Sequence, residues 1–513
     1  MMASWANFFL NLQWVFFAYF ICLSAGYLML HYVSVCSVIR HMRERRSDYL
    51  PKSLSFYQPP ISLLIPAYNE ERSIISTIHS LLNLNYPEFE IVVVSDGSTD
   101  GTAQAIIQEF AMVEFPEAYR QRLATKPIRG FYVSTRYPQV RFLDKENGGK
   151  SDALNAGINC VRYPLYCALD ADCILQPDSL QRIVRPFLED SRTVACGGVI
   201  RVLNGCAVAN GFLTKVELPR TWLPLFQHVE YLRAFLFGRL GWSPFNALLI
   251  ISGAFGLFYK EQVIAIGGYR LETVGEDMDL VVRLHKKLRA EGRPYRITFV
   301  PDPICWTEVP GDLRSLRNQR MRWHRGLAES LVPNVGLLFR RRSGTVGWLA
   351  LPFMVVFDLF GPAIEALGYI GMIVLWSLEL IPLRSFLIFM FLSVAMGILL
   401  SINAIFLEQL LFQMYPRIGQ QLKLLAAAVL ENFGYRQLIT VWRLMGLAHW
   451  FFSGPLRSRW GEIARDGSWQ HHAKAKVPGA PAAETLLRPP RPASLATDRS
   501  DLSTPLTTKQ GSA

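Results

Sequence analysis

No two of the eight cysteines, at positions 22, 36, 160, 167, 173, 196, 206 and 305, stand in a C-x-x-C pair. Most fall inside apolar runs, which speaks against a zinc framework or a disulfide scaffold and fits a reduced, cytoplasmic body. Charge is also scarce: 18% of the 513 residues are charged against 51% hydrophobic, too greasy for a purely soluble chain. Acidic residues are outnumbered, 41 against 53 Lys and Arg, for a net charge of +12. That excess could serve nucleic acid, but it gathers beside apolar runs, at His41-Met-Arg-Glu-Arg-Arg46 and Arg340-Arg-Arg342, where the positive-inside rule accounts for it. We therefore expect membrane lipid, and no nucleic acid, as a partner. No internal repeat is found.

The apolar runs set the outline. Residues 14–39 carry no charge and exceed the roughly 20 residues a spanning helix needs. With no basic leader or small-residue cleavage site, residues 1–45 are expected to form an uncleaved anchor, and the basic flank after it places the next segment of chain in the cytoplasm. Three more apolar regions lie at 346–378, 385–412 and 422–452 within a carboxyl-terminal membrane region, 346–453. The first is long enough to be tilted or broken at Gly361-Pro362, and Asp358, Glu365 and Glu408 should face the bundle or a polar path rather than lipid. The last carries Glu431, Arg436 and Arg443, so it either lines a polar path or lies partly in the interface. Residues 466–513 are Pro-, Ala- and Ser-rich and read as a disordered tail, His471-His472 included.

Between Pro59 and about Val300 short β-rich runs alternate with amphipathic stretches, the pattern of βαβ units and a mostly parallel sheet. Strands are expected at 61–65, 91–94, 140–143 and in the run into Asp170, with helices at 70–82, 99–110 and 150–159. In such a sheet ligands lie outside the carboxyl ends of the strands, so the polar loops at Asn69, Asp96, Asp144–Lys150 and Asp170 should converge on one crevice. Asp170 and Asp172 can offer oxygen ligands to one hard cation, although Asp-x-Asp also reads as a polar strand end ahead of Pro177-Asp178. Lys145 and Lys150 flank Gly148-Gly149, a turn entering a helix whose amino end favours an anion, and could contact a diphosphate. Residues 212–250 are too charged to span comfortably and read as an interfacial helix. Gly275-Glu-Asp277 opens an amphipathic helix.

Five motifs occur in order: Ile65-Pro-Ala-Tyr-Asn-Glu70, Val94-Ser-Asp-Gly-Ser-Thr-Asp100, Leu169-Asp-Ala-Asp172, Gly275-Glu-Asp277 and Gln319-Arg-Met-Arg-Trp323. Over residues 59–330 the chain resembles the inverting family 2 glycosyltransferases, and the last motif resembles that of the processive branch that includes cellulose, chitin and hyaluronan synthases. Gly275 stands where many relatives have Thr; both acids are kept. The resemblance implies a GT-A-like α/β domain that binds a nucleotide sugar, fused to transmembrane and interfacial helices, and a donor that is a UDP-sugar. It implies that Pro66, Ala67, Tyr68 and Asp96 hold the uridine, and that Asp170 and Asp172 bind the nucleotide and its Mg2+ or Mn2+. Lys150 would meet the diphosphate, and Asp277 would be the general base.

Glu276, Gln319, Arg320, Arg322 and Trp323 would serve the acceptor and the leaving group, Trp323 offering a flat face to a sugar ring. Each role has a structural alternative. Asp96 is a common turn residue in Asp-Gly, Asp277 could cap its helix, and Trp323 with its arginines could be a membrane-interface belt. The acceptor is expected to be a growing β-linked polysaccharide passed through the chain's own helices, the alternative being one sugar added to a lipid-linked acceptor. A transporter or scaffold would not need the acid at 277. An accessory subunit stays open.

Overall fold

The computed structural model of the chain describes residues 2–47, 58–209 and 211–453; the tail at 466–513, with His471 and His472, lies outside them. The catalytic body is built on twelve strands in chain order: β1 (Ile61–Ala67), β2 (Phe89–Ser95), β3 (Met112–Glu114), β4 (Ile128–Ser134), β5 (Val140–Lys145), β6 (Leu165–Leu169), β7 (Ile174–Leu175), β8 (Thr193–Val202), β9 (Ala207–Ala209), β10 (Phe212–Lys215), β11 (Phe255–Tyr259) and β12 (Arg296–Thr307). Ten form one sheet in the order β3-β4-β5-β2-β1-β6-β11-β8-β12-β7, while β9 and β10 form a separate hairpin.

The centre β5-β2-β1-β6 is parallel, with Leu63 opposite Ile91 on one side and Cys167 on the other. Every residue of β1 is buried, as an unbroken apolar run covered on both faces requires. The helix Lys150–Cys160 lies so close to β1 that a Cβ on Gly157 would collide with Leu64. β11 enters antiparallel between β6 and β8, and β12 runs parallel to β8 with its register broken between Phe299 and Ile304. Pro301 and Pro303 fall in that break, where their missing N–H groups cost no ladder bond.

Among the described residues two helices are long and apolar enough to cross a membrane, Trp14–Arg43 and Leu383–Leu411. A third apolar segment is bent by 46° between Val346–Leu359 and Gly361–Ser377, the break expected at Gly361-Pro362, where proline cannot donate to the preceding turn. Residues 422–452 contribute two shorter or more polar helices, Ile418–Leu430 and Tyr435–Ser453, neither of which qualifies. The stretch expected to lie in the interface folds as a helix from Trp222 through a π-helical segment, Leu232–Gly238, to Trp242.

Of the acids within the apolar segments, Glu408 and Glu431 turn inward. Glu408 is fully buried and faces Arg201 of β8 at 3.7 Å, and Glu431 accepts from Ser401 at 2.6 Å and pairs with Arg233. Asp358 accepts from Tyr27 at 3.4 Å, and Glu365, though exposed, accepts from Thr440 at 3.2 Å.

Candidate active site

One cavity of about 1040 Å3 opens at the carboxyl ends of β1 and β6 and runs into the helices. Of the residues singled out by sequence, Tyr68, Lys150, Asp170, Asp172, Glu276, Asp277, Gln319, Arg320, Arg322 and Trp323 all line it. Tyr27, Asp358, Arg436 and Arg443 line it as well, so part of the third apolar region borders the cavity. Pro66, Ala67 and Asp96 are buried beneath the rim and do not line the cavity.

Asp96 anchors the floor. Its carboxylate accepts from Lys145 Nζ at 2.7 Å and from the backbone N–H groups of Gly148 and Gly149 at 3.0 and 2.7 Å. Its own N–H donates to Ala67 at 2.9 Å. The Asp-Gly is therefore more than a turn: it ties the loops after β1, β2 and β5 together. Gly149, at φ +94°, then starts the helix that carries Lys150, in a backbone region that glycine enters freely. Lys145 needs correction as a diphosphate contact, because its ammonium has no exposed surface and is held by Asp96 and Asp152.

Of the two lysines flanking Gly148-Gly149, Lys150 is the one that reaches the cavity. Its Nζ lies 2.7 Å from Asp170 Oδ1 and 3.2 Å from Glu276 Oε1. Burial works against its charge, but Asp170, Glu276 and Asp277 together outweigh it and hold the lysine pKa above its usual value. Asp170 keeps 30% of its side chain exposed, whereas Asp172 is buried and accepts from Thr307 Oγ1 at 3.3 Å. Among the described residues no three or more His, Cys, Asp or Glu could hold an ion by themselves. Two carboxylates at the mouth of a polar cavity nonetheless fit a hard cation that takes its remaining ligands from a substrate's phosphates and water.

Asp277 is not a cap. Gly275 occupies that position, and Asp277 is the second residue of the helix Glu276–Ala290. Its Oδ1 accepts from Met278 N at 2.8 Å and its Oδ2 from Gly253 N at 3.2 Å. Burial, then the neighbouring charge of Glu276, raise its pKa against the opposing pull of Lys150 and the two backbone bonds. A capping role would have depressed it; a carboxylate held above its ordinary pKa is a stronger proton acceptor than a free one.

The Gln319–Trp323 motif sits on the helix Leu313–Leu331, capped by Asp312, whose side chain accepts from Arg314 N and Ser315 N at 2.9 Å. The motif divides. Arg320 is buried and already paired with Glu230, with both nitrogens within 3.0 Å of the carboxylate. Arg322 is half-buried and has no such partner among the described residues, so it is the arginine free to meet an incoming anion. Gln319 Oε1 is buried without a hydrogen-bond partner among the described residues. Trp323 keeps 36% of its surface exposed, between Tyr231 and Phe235 at 6.4 Å. The ring faces an aromatic wall of the cavity. Thr307, Glu230 and the Gly253 N–H escape a reading of the sequence, since nothing local marks a residue whose partner lies on another element.

Comparison with known proteins adds a family to this geometry. A model described as Glycosyl transferase family 2 matches residues 62–230, and one described as Glycosyl transferase family group 2 matches residues 167–407. The chain is similar to the poly-beta-1,6-N-acetyl-D-glucosamine synthase of Staphylococcus epidermidis, 30% identical over 273 residues. It is 31% identical over 275 residues to the protein of that name from Staphylococcus aureus strain COL. Each match covers 53% of this chain and 55% of the relative, so the chain spans about half the length of the curated relatives it matches. A solved mannosyltransferase, PcManGT from Pyrobaculum calidifontis in complex with GDP-Man and Mn2+, aligns with a TM-score of 0.46 and 17% identity over 84% of this chain and 99% of that one. At that score the likeness carries no argument about donor or metal.

Proposed function

Because this chain belongs to glycosyl transferase family 2, we propose that it transfers a sugar, with inversion, from a UDP-sugar to the end of a growing β-linked polysaccharide and passes the product through its own membrane helices. The observation that carries this reading is the continuous cavity. It holds Asp170 and Asp172 at one side and Glu276 and Asp277 at another, bridged by Lys150, and it continues to Asp358 and Arg443 among the helices.

In the reaction an acceptor hydroxyl oxygen forms a bond to the anomeric carbon as the bond from that carbon to the diphosphate breaks. Asp277 takes the hydroxyl proton, and the nucleoside diphosphate leaves with the bonding pair. Lys150 and Arg322 stabilise the charge that develops on it. Asp170 and Asp172 are the residues that would hold Mg2+ or Mn2+, which when bound would neutralise diphosphate charge. Tyr68, which lines the cavity, would meet the base, with Asp96 shaping the loop. Trp323 stacks on the acceptor sugar, and Gln319 Oε1 accepts from one of its hydroxyls. Arg40 and Arg43 in the last turn of the first membrane helix, with Arg340 to Arg342 before the bent one, favour a cytoplasmic face for the site, where nucleotide sugars are made.

The names of the similar synthases make N-acetylglucosamine the first sugar to try. Purified chain in detergent, given radiolabelled UDP- and GDP-sugars in parallel, is expected to incorporate label from UDP-N-acetylglucosamine. Incorporation from a GDP-sugar alone would overturn the donor class, and binding of every donor without transfer or hydrolysis would favour a scaffold.

A further inference from the structure

The helix Tyr435–Ser453 packs along the motif helix Leu313–Leu331 on one face. Tyr435, Trp442, Gly446 and His449 recur at spacings of seven, four and three, the stripe a helix presents to a single neighbour. Tyr435 and Trp442 cluster with Leu316, and Arg325 Nη1 lies 2.9 Å from His449 Nδ1. Arg443 Nε lies 3.3 Å from His324 Nδ1. At Gly446 the two backbones touch: a Cβ there would sit 2.6 Å from the carbonyl oxygen of Met321, the central residue of the motif.

The same helix also reaches Glu230 of the cavity wall through a hydroxyl. Tyr435 OH donates to Glu230 Oε2 at 2.9 Å, and Glu230 in turn holds Arg320. The Arg320 guanidinium carbon lies 4.5 Å from the centroid of the Trp323 ring. A planar cation held on two sides leaves the indole few orientations, because its fork is fixed by the carboxylate and its face by the ring.

We propose that Tyr435–Ser453 is a brace for the motif, and that Tyr435 and Glu230 are positioning residues that set the orientation of Trp323 through Arg320. The brace governs how long the growing acceptor stays docked. This rests on the reading of Trp323 as the acceptor platform. It gives the carboxyl-terminal helix a part in acceptor handling rather than in the crossing count.

The test is the length distribution of the product, which does not depend on how much of a preparation is active. Tyr435→Phe removes only the hydroxyl and is expected to shorten the mean product by about fivefold, the effect of one net hydrogen bond on retention. The KM for donor should stay unchanged. Gly446→Ala, which must push the helices apart, should shorten it further. A merely structural role would lower the thermal transition and the total yield with chain length unaltered, and that result would overturn the brace. So would Tyr435→Phe product of wild-type length, or a raised donor KM. A wild-type chain that makes no polymer would instead refute the polysaccharide reading beneath it.

Discussion

Asp277→Asn is expected to bind the donor as the wild-type chain does and to lose transfer by at least about a hundredfold, the lower range for a general base. The amide keeps the shape and its one oxygen can still accept from Met278 N, while the bond from Gly253 N to the second carboxylate oxygen is lost, and the amide cannot take a proton. Helix stability offers no rival explanation, since Gly275 and not Asp277 stands at the cap. The pH profile adds an independent check. Burial and Glu276 raise the Asp277 pKa, so the base becomes protonated, and the rate falls, as pH drops through a value above the ordinary carboxylate range. Glu276→Gln removes a neighbouring negative charge and should therefore move that acid limb to lower pH. Near-normal turnover by Asp277→Asn, or an acid limb that moves upward in Glu276→Gln, would show that the proton goes elsewhere.

Asp172→Asn and metal removal should have the other large effect. Asp170 and Asp172 face a cavity that we assign to a diphosphate, and without a cation two carboxylates would repel it. Charge stabilisation by a bound divalent ion is worth several kcal/mol, so excess chelator should lower turnover by on the order of a hundredfold or more. Added Mg2+ or Mn2+ should restore it. The Asn variant should keep its fold, because Thr307 Oγ1 can still donate to the remaining side-chain oxygen. It should also need far more Mn2+ for saturation in a binding titration without turnover. Full turnover in chelator would remove the metal from the account, leaving Lys150 and Arg322 as the counter-charges.

The parallel centre of the sheet was readable because β1, β2 and β6 are largely apolar runs, each followed at once by polar loop residues. β12 was not, since Pro301 and Pro303 interrupt it; only the register break against β8 accommodates them. The acids at 170, 172 and 277 were found from short motifs, which carry residue type but not surroundings. Asp96 shows the difference: its Asp-Gly reads as a turn, while its burial depends on Lys145, 49 residues away. The same holds more strongly for Glu230, whose partners Arg320 and Tyr435 lie 90 and 205 residues on. The split within Gln319–Trp323, one arginine paired and one free, follows from those distant contacts and could not be read from five adjacent letters. The carboxyl-terminal region was ambiguous for a related reason: the charges that make it a poor crossing are spent on other elements, Glu431 on Arg233 and Arg443 on the backbone carbonyl of Asp358.

That one cavity joins sugar transfer to passage through the membrane is tested most directly by reconstitution. The full chain is placed in sealed vesicles with the catalytic body facing outward, radiolabelled donor is added outside, and the product is sized before and after digestion by an external glycoside hydrolase. The account predicts a labelled polymer of high mass that resists digestion until detergent opens the vesicles. A product of a single sugar on lipid, or a polymer wholly open to the external hydrolase, would contradict it.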